Sequence, residues 1–143
     1  MNKITLGKTG LVIEKNGLGC LPIQRISEQD AVYLLHKAYD GGITFFDTAR
    51  GYTDSEEKLG RAFEGMRSHI YIATKSHAKT PDSLRCDLET SLRMLKTDYV
   101  DIYQFHNPAQ CYRPGDGTGM YEAMEAFRQE GKIRFISLSK HRP

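Results

Sequence analysis

Short apolar runs alternate along this chain with longer stretches in which apolar residues recur every three or four positions. Ile43-Thr44-Phe45-Phe46 is the clearest run, rich in β-branched and aromatic residues and bounded by turn residues, the pattern of a buried strand. Asp47 closes it. Ile70 to Thr74 is a second strand closed by Lys75, and Tyr99 to Phe105 a third closed by His106. Ile133 to Leu138 is a further strand, and Gly17-Leu18-Gly19-Cys20-Leu21 a shorter one ahead of the others. Ile4-Thr5-Leu6 and Leu11-Val12-Ile13 flank Gly7-Lys8-Thr9-Gly10 and predict an N-terminal hairpin.

The periodic stretches between them predict helices. Ser27 caps one whose apolar positions are Ala31, Leu34, Leu35 and Ala38, with Gly41-Gly42 as its stop. Asp54 is placed to cap a second, with Glu57 three residues on as its capping-box partner, and Leu59, Ala62 and Phe63 on its apolar side. Thr80-Pro81 opens a third, with Leu84, Leu88, Leu92 and Leu95 facing inward. A loop containing Pro108, Pro114, Gly115, Gly117 and Gly119 leads to a fourth, carrying Met120, Ala123, Met124 and Phe127 and stopped by Gly131.

The order is βαβαβαβαβ behind a hairpin, with no linker or low-complexity segment, and predicts an α/β fold in a single domain over residues 1–143. Right-handed βα crossovers build a parallel sheet, either doubly wound or closed toward a barrel. Chemistry in such folds gathers at the C-terminal ends of the strands. Asp47, Lys75 and His106 each close a strand, and Tyr52 stands one loop beyond Asp47. Taken singly, each is ordinary: a helix cap, a solvated cation, a backbone-bonded imidazole, a packing ring. Together they mark one rim.

Composition narrows the partners. Charged residues make up 27% of the chain and the net charge is +2, too weak a bias to imply nucleic acid or a membrane surface. No run approaches the ~20 apolar residues of a membrane span, and the N-terminus lacks the apolar core of a secretory signal. Cys20, Cys86 and Cys111 are odd in number and widely spaced. That spacing suggests neither a zinc site nor a redox pair, and the expectation is free thiols in the cytoplasm and no metal.

Asp47-Thr48-Ala49-x-x-Tyr52-x-x-Ser55-Glu56 resembles the aldo-keto reductase signature, usually D-T-A-x-x-Y-G-x-S-E, with Thr53 in place of the glycine. Lys75 and His106 match at compatible distances. The resemblance implies a partial (β/α)8 TIM barrel: about four βα units plus a fifth strand, with the hairpin plugging the floor. It implies NADPH-dependent reduction of an aldehyde or ketone, with Asp47, Tyr52, Lys75 and His106 as the catalytic set. An ammonium beside a phenol favours the phenolate, so Lys75, held by Asp47, would ready Tyr52 to supply the proton. His106 would donate a hydrogen bond to the carbonyl oxygen. Substrate contacts fall on Tyr52, His106 and Asn107, and cofactor contacts on Cys20, Leu21, Asp47, Ser139 and Lys140.

Two departures change the picture. Lys140 and His141 follow Ser139 where the family commonly has Ser-Asn, and the Ser-x-His-Arg-Pro form ending at Pro143, with Phe105-His106-Asn107, resembles a branch whose members often carry a C-terminal ferredoxin-like extension. The late barrel loops that bind the cofactor's phosphate in this family lie outside the chain. The expectation is therefore weak NADPH binding and a homodimer or larger assembly through open strand edges. Phe45, Ile70, Ile72, Ile102 and Phe135 are the expected exposed apolar surface. The alternative is a truncated, inactive half-barrel acting only as an assembly or binding module.

Overall fold

Thr5 pairs with Val12 to close an antiparallel hairpin of β1 (Lys3–Thr5) and β2 (Val12–Glu14), where the sequence predicts one. Thr9 shapes its turn: its hydroxyl donates to the Leu6 carbonyl at 2.6 Å and accepts from the Leu11 amide at 3.1 Å. The computed structural model describes residues 2–141, so the end of the Ser-x-His-Arg-Pro motif, Arg142 and Pro143, lies outside the described residues.

Five strands make one parallel sheet in chain order: β3 (Leu18–Gly19), β4 (Phe45–Asp47), β5 (Tyr71–Ser76), β6 (Val100–His106) and β7 (Ile133–Ser139). Helices α1 (Glu28–Asp40), α2 (Ser55–Ala62), α3 (Pro81–Leu95) and α4 (Met120–Gln129) connect them and cover one face. Consecutive neighbours throughout, with a helix between each pair, are what short right-handed βα connections produce.

Sheet periodicity divides the side chains cleanly. Phe46, Ile72, Tyr103 and Phe105 point to the helices and share a core with Leu35, Leu59, Leu84, Leu88, Met124 and Phe127. Phe45, Ala73, Ile102 and Phe135 point the other way. With the hairpin turn at Leu6–Thr9 they line an open space of about 480 Å³ on the inner face. This corrects three of the residues expected as exposed surface: Ile102, though it points to this face, is 8% exposed. Ile70 and Ile72 are 3% and 2% exposed and belong to the helix-side core. Ile72 sits one residue from Ala73, and a step of one along a strand reverses the face.

Two local expectations also change. Asp54 stands at the N-cap of α2 without a side-chain cap bond. Its carboxylate is drawn instead to Lys58, 3.0 Å away, whose ammonium also donates to the carbonyls of Ile23 and Ile26. Leu34, at the margin of the α1 stripe, is 42% exposed, while Ala31 and Leu35 are fully buried. By contrast α3 starts as its sequence predicts, with Pro81 in its first turn and a reciprocal Thr80–Ser83 capping box.

At the opposite end from the site, Asp101 is 1% exposed. It accepts from Arg67 at 2.7 Å, from Arg134 at 2.9 Å and from the Ile72 amide at 2.9 Å. Two cations and an amide on one buried carboxylate tie β5, β6 and β7 together, as a buried charge requires.

Candidate active site

The C-terminal strand ends bring Asp47, Lys75, His106 and Tyr52 to one rim. Lys75 Nζ donates to Asp47 Oδ2 at 2.8 Å and to the Thr48 carbonyl at 2.7 Å. It lies 5.0 Å from the centre of the Tyr52 ring. The His106 ring meets the Tyr52 ring edge-on, at 5.8 Å and 88°. A phenol, an ammonium and an imidazole thus cluster at the strand ends, with the ammonium paired to a carboxylate.

The loop that carries Tyr52 is fixed by the rest of the motif. The Ser55 hydroxyl donates to the Cys20 carbonyl at 2.8 Å and lies 2.8 Å from the Thr48 hydroxyl. Glu56, 1% exposed, accepts from Thr74 at 2.7 Å and pairs with Arg50 at 2.7 Å. Burial holds the Glu56 carboxyl above its ordinary range. The serine and acid of the motif therefore bind α2 to β3 and β5 and hold the loop in place. Thr53, at the position where glycine is usual, has a φ of 45°.

His106 is buried, and its pKa is held down to about 4, first by loss of solvent and then by His77, Lys75 and His141 nearby. At neutral pH it is an uncharged imidazole with one N–H to donate. Its Nδ1 is buried with no hydrogen-bond partner among the described residues.

The other sequence-predicted contacts divide. Leu21 is 43% exposed, whereas Cys20 is fully enclosed. The Cys20 amide donates to the Asp47 carbonyl at 2.8 Å, its own carbonyl is taken by Ser55, and burial pushes its thiol up to about 12. Leu21 is thus open at this strand end and Cys20 enclosed. Ser139 is in register beside His106, and its hydroxyl is buried without a partner. Lys140 turns away, its ammonium donating to the Pro108 carbonyl at 2.6 Å. Asn107 is exposed with a φ of 47°, its amide bound to the Ser139 carbonyl at 2.7 Å.

Two residues of the site carry no motif. Gln104 Nε2 donates to Asp47 Oδ1 at 3.1 Å, so both carboxylate oxygens are engaged. The signal for it is strand alternation, because Gln104 stands two residues before His106 and shares its face. His77 stacks on His106 at 3.8 Å. It also lines a groove of about 670 Å³ with Lys79, Asn107, Gln110 and Tyr112, open toward His106. Among the described residues, no cluster of His, Cys, Asp and Glu has the geometry of a metal site. Among the same residues, no helix is long and apolar enough to cross a membrane.

The family model described as the Aldo/keto reductase family matches residues 3–143. The oxidoreductase YqkF of Bacillus subtilis is 34% identical over 157 aligned positions, covering all of this chain and 50% of that protein. L-galactose dehydrogenase of Arabidopsis thaliana is 32% identical, covering 94% of this chain and 47% of its own length. An aldo-keto reductase from Klebsiella pneumoniae, solved in complex with NADPH, superposes with a TM-score of 0.85 at 31% identity, over 98% of this chain and 50% of that one. The chain thus spans about half the length of the relatives it matches.

Proposed function

Because this chain belongs to the aldo/keto reductase family, we propose that its rim serves the NADPH-dependent reduction of an aldehyde or ketone, with Tyr52 as proton donor. The observation that carries this reading is the position of Lys75. Its ammonium is buried, fixed by Asp47 and Thr48, and lies 5.0 Å from the centre of the Tyr52 ring.

NADPH, when bound, supplies hydride to the carbonyl carbon and leaves as NADP⁺. The chain's own residues deal with the oxygen. A carbonyl whose oxygen sits between Tyr52 and His106 accepts hydrogen bonds from the phenol and from the neutral imidazole, which polarise it. As negative charge develops there, the Tyr52 proton moves to it, and the phenolate left behind is stabilised by the adjacent Lys75 ammonium. Asp47 keeps that ammonium in place, and Gln104 orients Asp47.

The fit to a nicotinamide rests on Ser139. Its buried, unpartnered hydroxyl beside His106 suits an amide, and exposed Leu21 borders the same strand ends. Lys140, engaged at Pro108, is not needed for it. Turnover of a generic aldehyde with NADPH tests the reading. Tyr52→Phe is expected to cost ~10²–10⁴-fold in rate, the range for losing a positioned proton donor. Full activity in that variant would remove Tyr52 from the role.

A second reading is a half-barrel that acts through assembly alone, with a second copy covering its inner face. What favours it is the inner sheet surface: Phe45 and Phe135 remain partly exposed around an open space, and β3 and β7 are the sheet's outer strands. No turnover from the wild-type chain, together with a solution mass above one 16.2 kDa chain, would favour this reading.

A further inference from the structure

We infer that His77 is a positioning residue: its ring holds the His106 imidazole in the plane from which it reaches a substrate. This rests on the proposed role of His106 as hydrogen-bond donor to the carbonyl.

An imidazole is usually oriented by a hydrogen bond to the ring nitrogen that does not face the ligand. His106 has none, since its Nδ1 is buried without a partner among the described residues. Packing must then set the ring's rotation. Two rings do so. Tyr52 touches an edge, while His77 covers a face, with centroids 3.8 Å apart and planes within 16° of parallel.

His77 is itself held through both of its chain neighbours. On one side, the Ser76 hydroxyl donates to Asp87 at 2.5 Å. On the other, the Ala78 amide donates back to that same hydroxyl at 2.9 Å. The backbone on either side of His77 is therefore pinned to the start of the turn after β5. The Tyr52 loop lies close by: a Cβ built on Gly51 would stand 3.5 Å from His77 Cδ2, so there is room for no more than a methyl group between that backbone and the ring. His77 thus stacks on His106 with Gly51, one residue before Tyr52, nearby. His77 is exposed to solvent, so its stacked pose owes little to burial.

The test compares His77→Ala and His77→Phe with the wild-type chain by NMR of the histidine rings, His106 being assigned through His106→Gln. In the wild type the His106 ring protons should be displaced upfield by the stacked ring. His77→Ala should abolish that displacement, and His77→Phe should restore most of it, with the amide spectrum otherwise that of a folded chain. Unchanged His106 ring signals in a folded His77→Ala variant, or no recovery with phenylalanine, overturn the inference. Aldehyde reduction with NADPH adds a second arm: kcat falls roughly 10- to 100-fold in His77→Ala with a smaller change in KM, the cost of a misplaced group, and recovers in His77→Phe. Ring signals that respond as stated in a chain without turnover would support the positioning role and count against the reductase reading alone.

Discussion

Lys75 and Asp47 form an unequal pair. The lysine side chain is 4% exposed and the aspartate 38%, with 2.8 Å between their charged atoms. A buried cation therefore depends on a half-open carboxylate, with only the Thr48 carbonyl as its other acceptor. Asp47→Asn keeps the shape and removes the compensating charge. A hydrogen bond to a charged group contributes roughly 1.5–3 kcal/mol, and solvent access to Asp47 places the loss toward the lower end. Urea unfolding should show a lower midpoint with an unchanged slope, and any turnover should fall with it. An unaltered midpoint would mean that the Thr48 carbonyl alone suffices for the ammonium.

The strands and helices were legible because each has a single clear period and a turn signal at its ends. The rim was legible because Asp47, Lys75 and His106 each terminate a strand. What escaped depended on competition or on loop shape. Asp54 has the residue type of a cap, but an ammonium four residues on outbids the helix amides for it. Ile72 reads as an inner-face residue until the face is counted from Lys75, three positions later. The same counting reaches Gln104 from His106. His77 has no such signal, because its stack on His106 follows from how the turn after β5 is pinned.

The pKa of His106 gives a signed dependence on pH. In the folded chain it is held down to about 4, against 6.5 for an ordinary histidine. Between these values the unfolded chain takes up a proton that the folded chain refuses. Protonation then favours unfolding, so this contribution to stability is full above about 6.5 and is lost as the pH falls toward 4. The His106→Gln variant should show a flatter fall in stability across that window. A parallel curve for wild type and variant would show that other groups cause the acid loss.

Thr53 carries backbone strain beside the site. Its φ of 45° lies in the left-handed region, where a β-branched residue is costly. Its one hydroxyl proton is shared between Gln24 Oε1 at 3.1 Å and Asp54 Oδ1 at 3.4 Å, both at the exposed surface. Left-handed geometry costs about 1–2 kcal/mol for a residue with a Cβ, more than exposed hydroxyl bonds return. Thr53→Gly should therefore raise the melting temperature, by a net of about 0.5–1 kcal/mol in stability. Thr53→Ala, which keeps the Cβ and loses the bonds, should not. A lower melting temperature for the glycine variant would show that the Gln24 contact outweighs the strain.

At Gly60, α2 packs directly against the backbone at the end of α3. A Cβ built there would stand 2.4 Å from the Met94 carbonyl oxygen and 2.8 Å from two backbone carbons of Leu95. Two effects of Gly60→Ala oppose one another. Alanine is the better helix former by about 1 kcal/mol. The clash is with backbone, so no side-chain rotation relieves it, and one helix must move. Forcing an extra methyl into a packed contact costs typically about 1–3 kcal/mol, and more where rigid atoms meet at such distances. The clash wins. Moving α2 would also strain the Ser55–Cys20 and Glu56–Thr74 bonds that hold the Tyr52 loop. Gly60→Ala should therefore lower the urea midpoint and speed hydrogen exchange in residues 48–56 more than in β6 and β7. A variant as stable as the wild type would show that the two helices have room to slide apart.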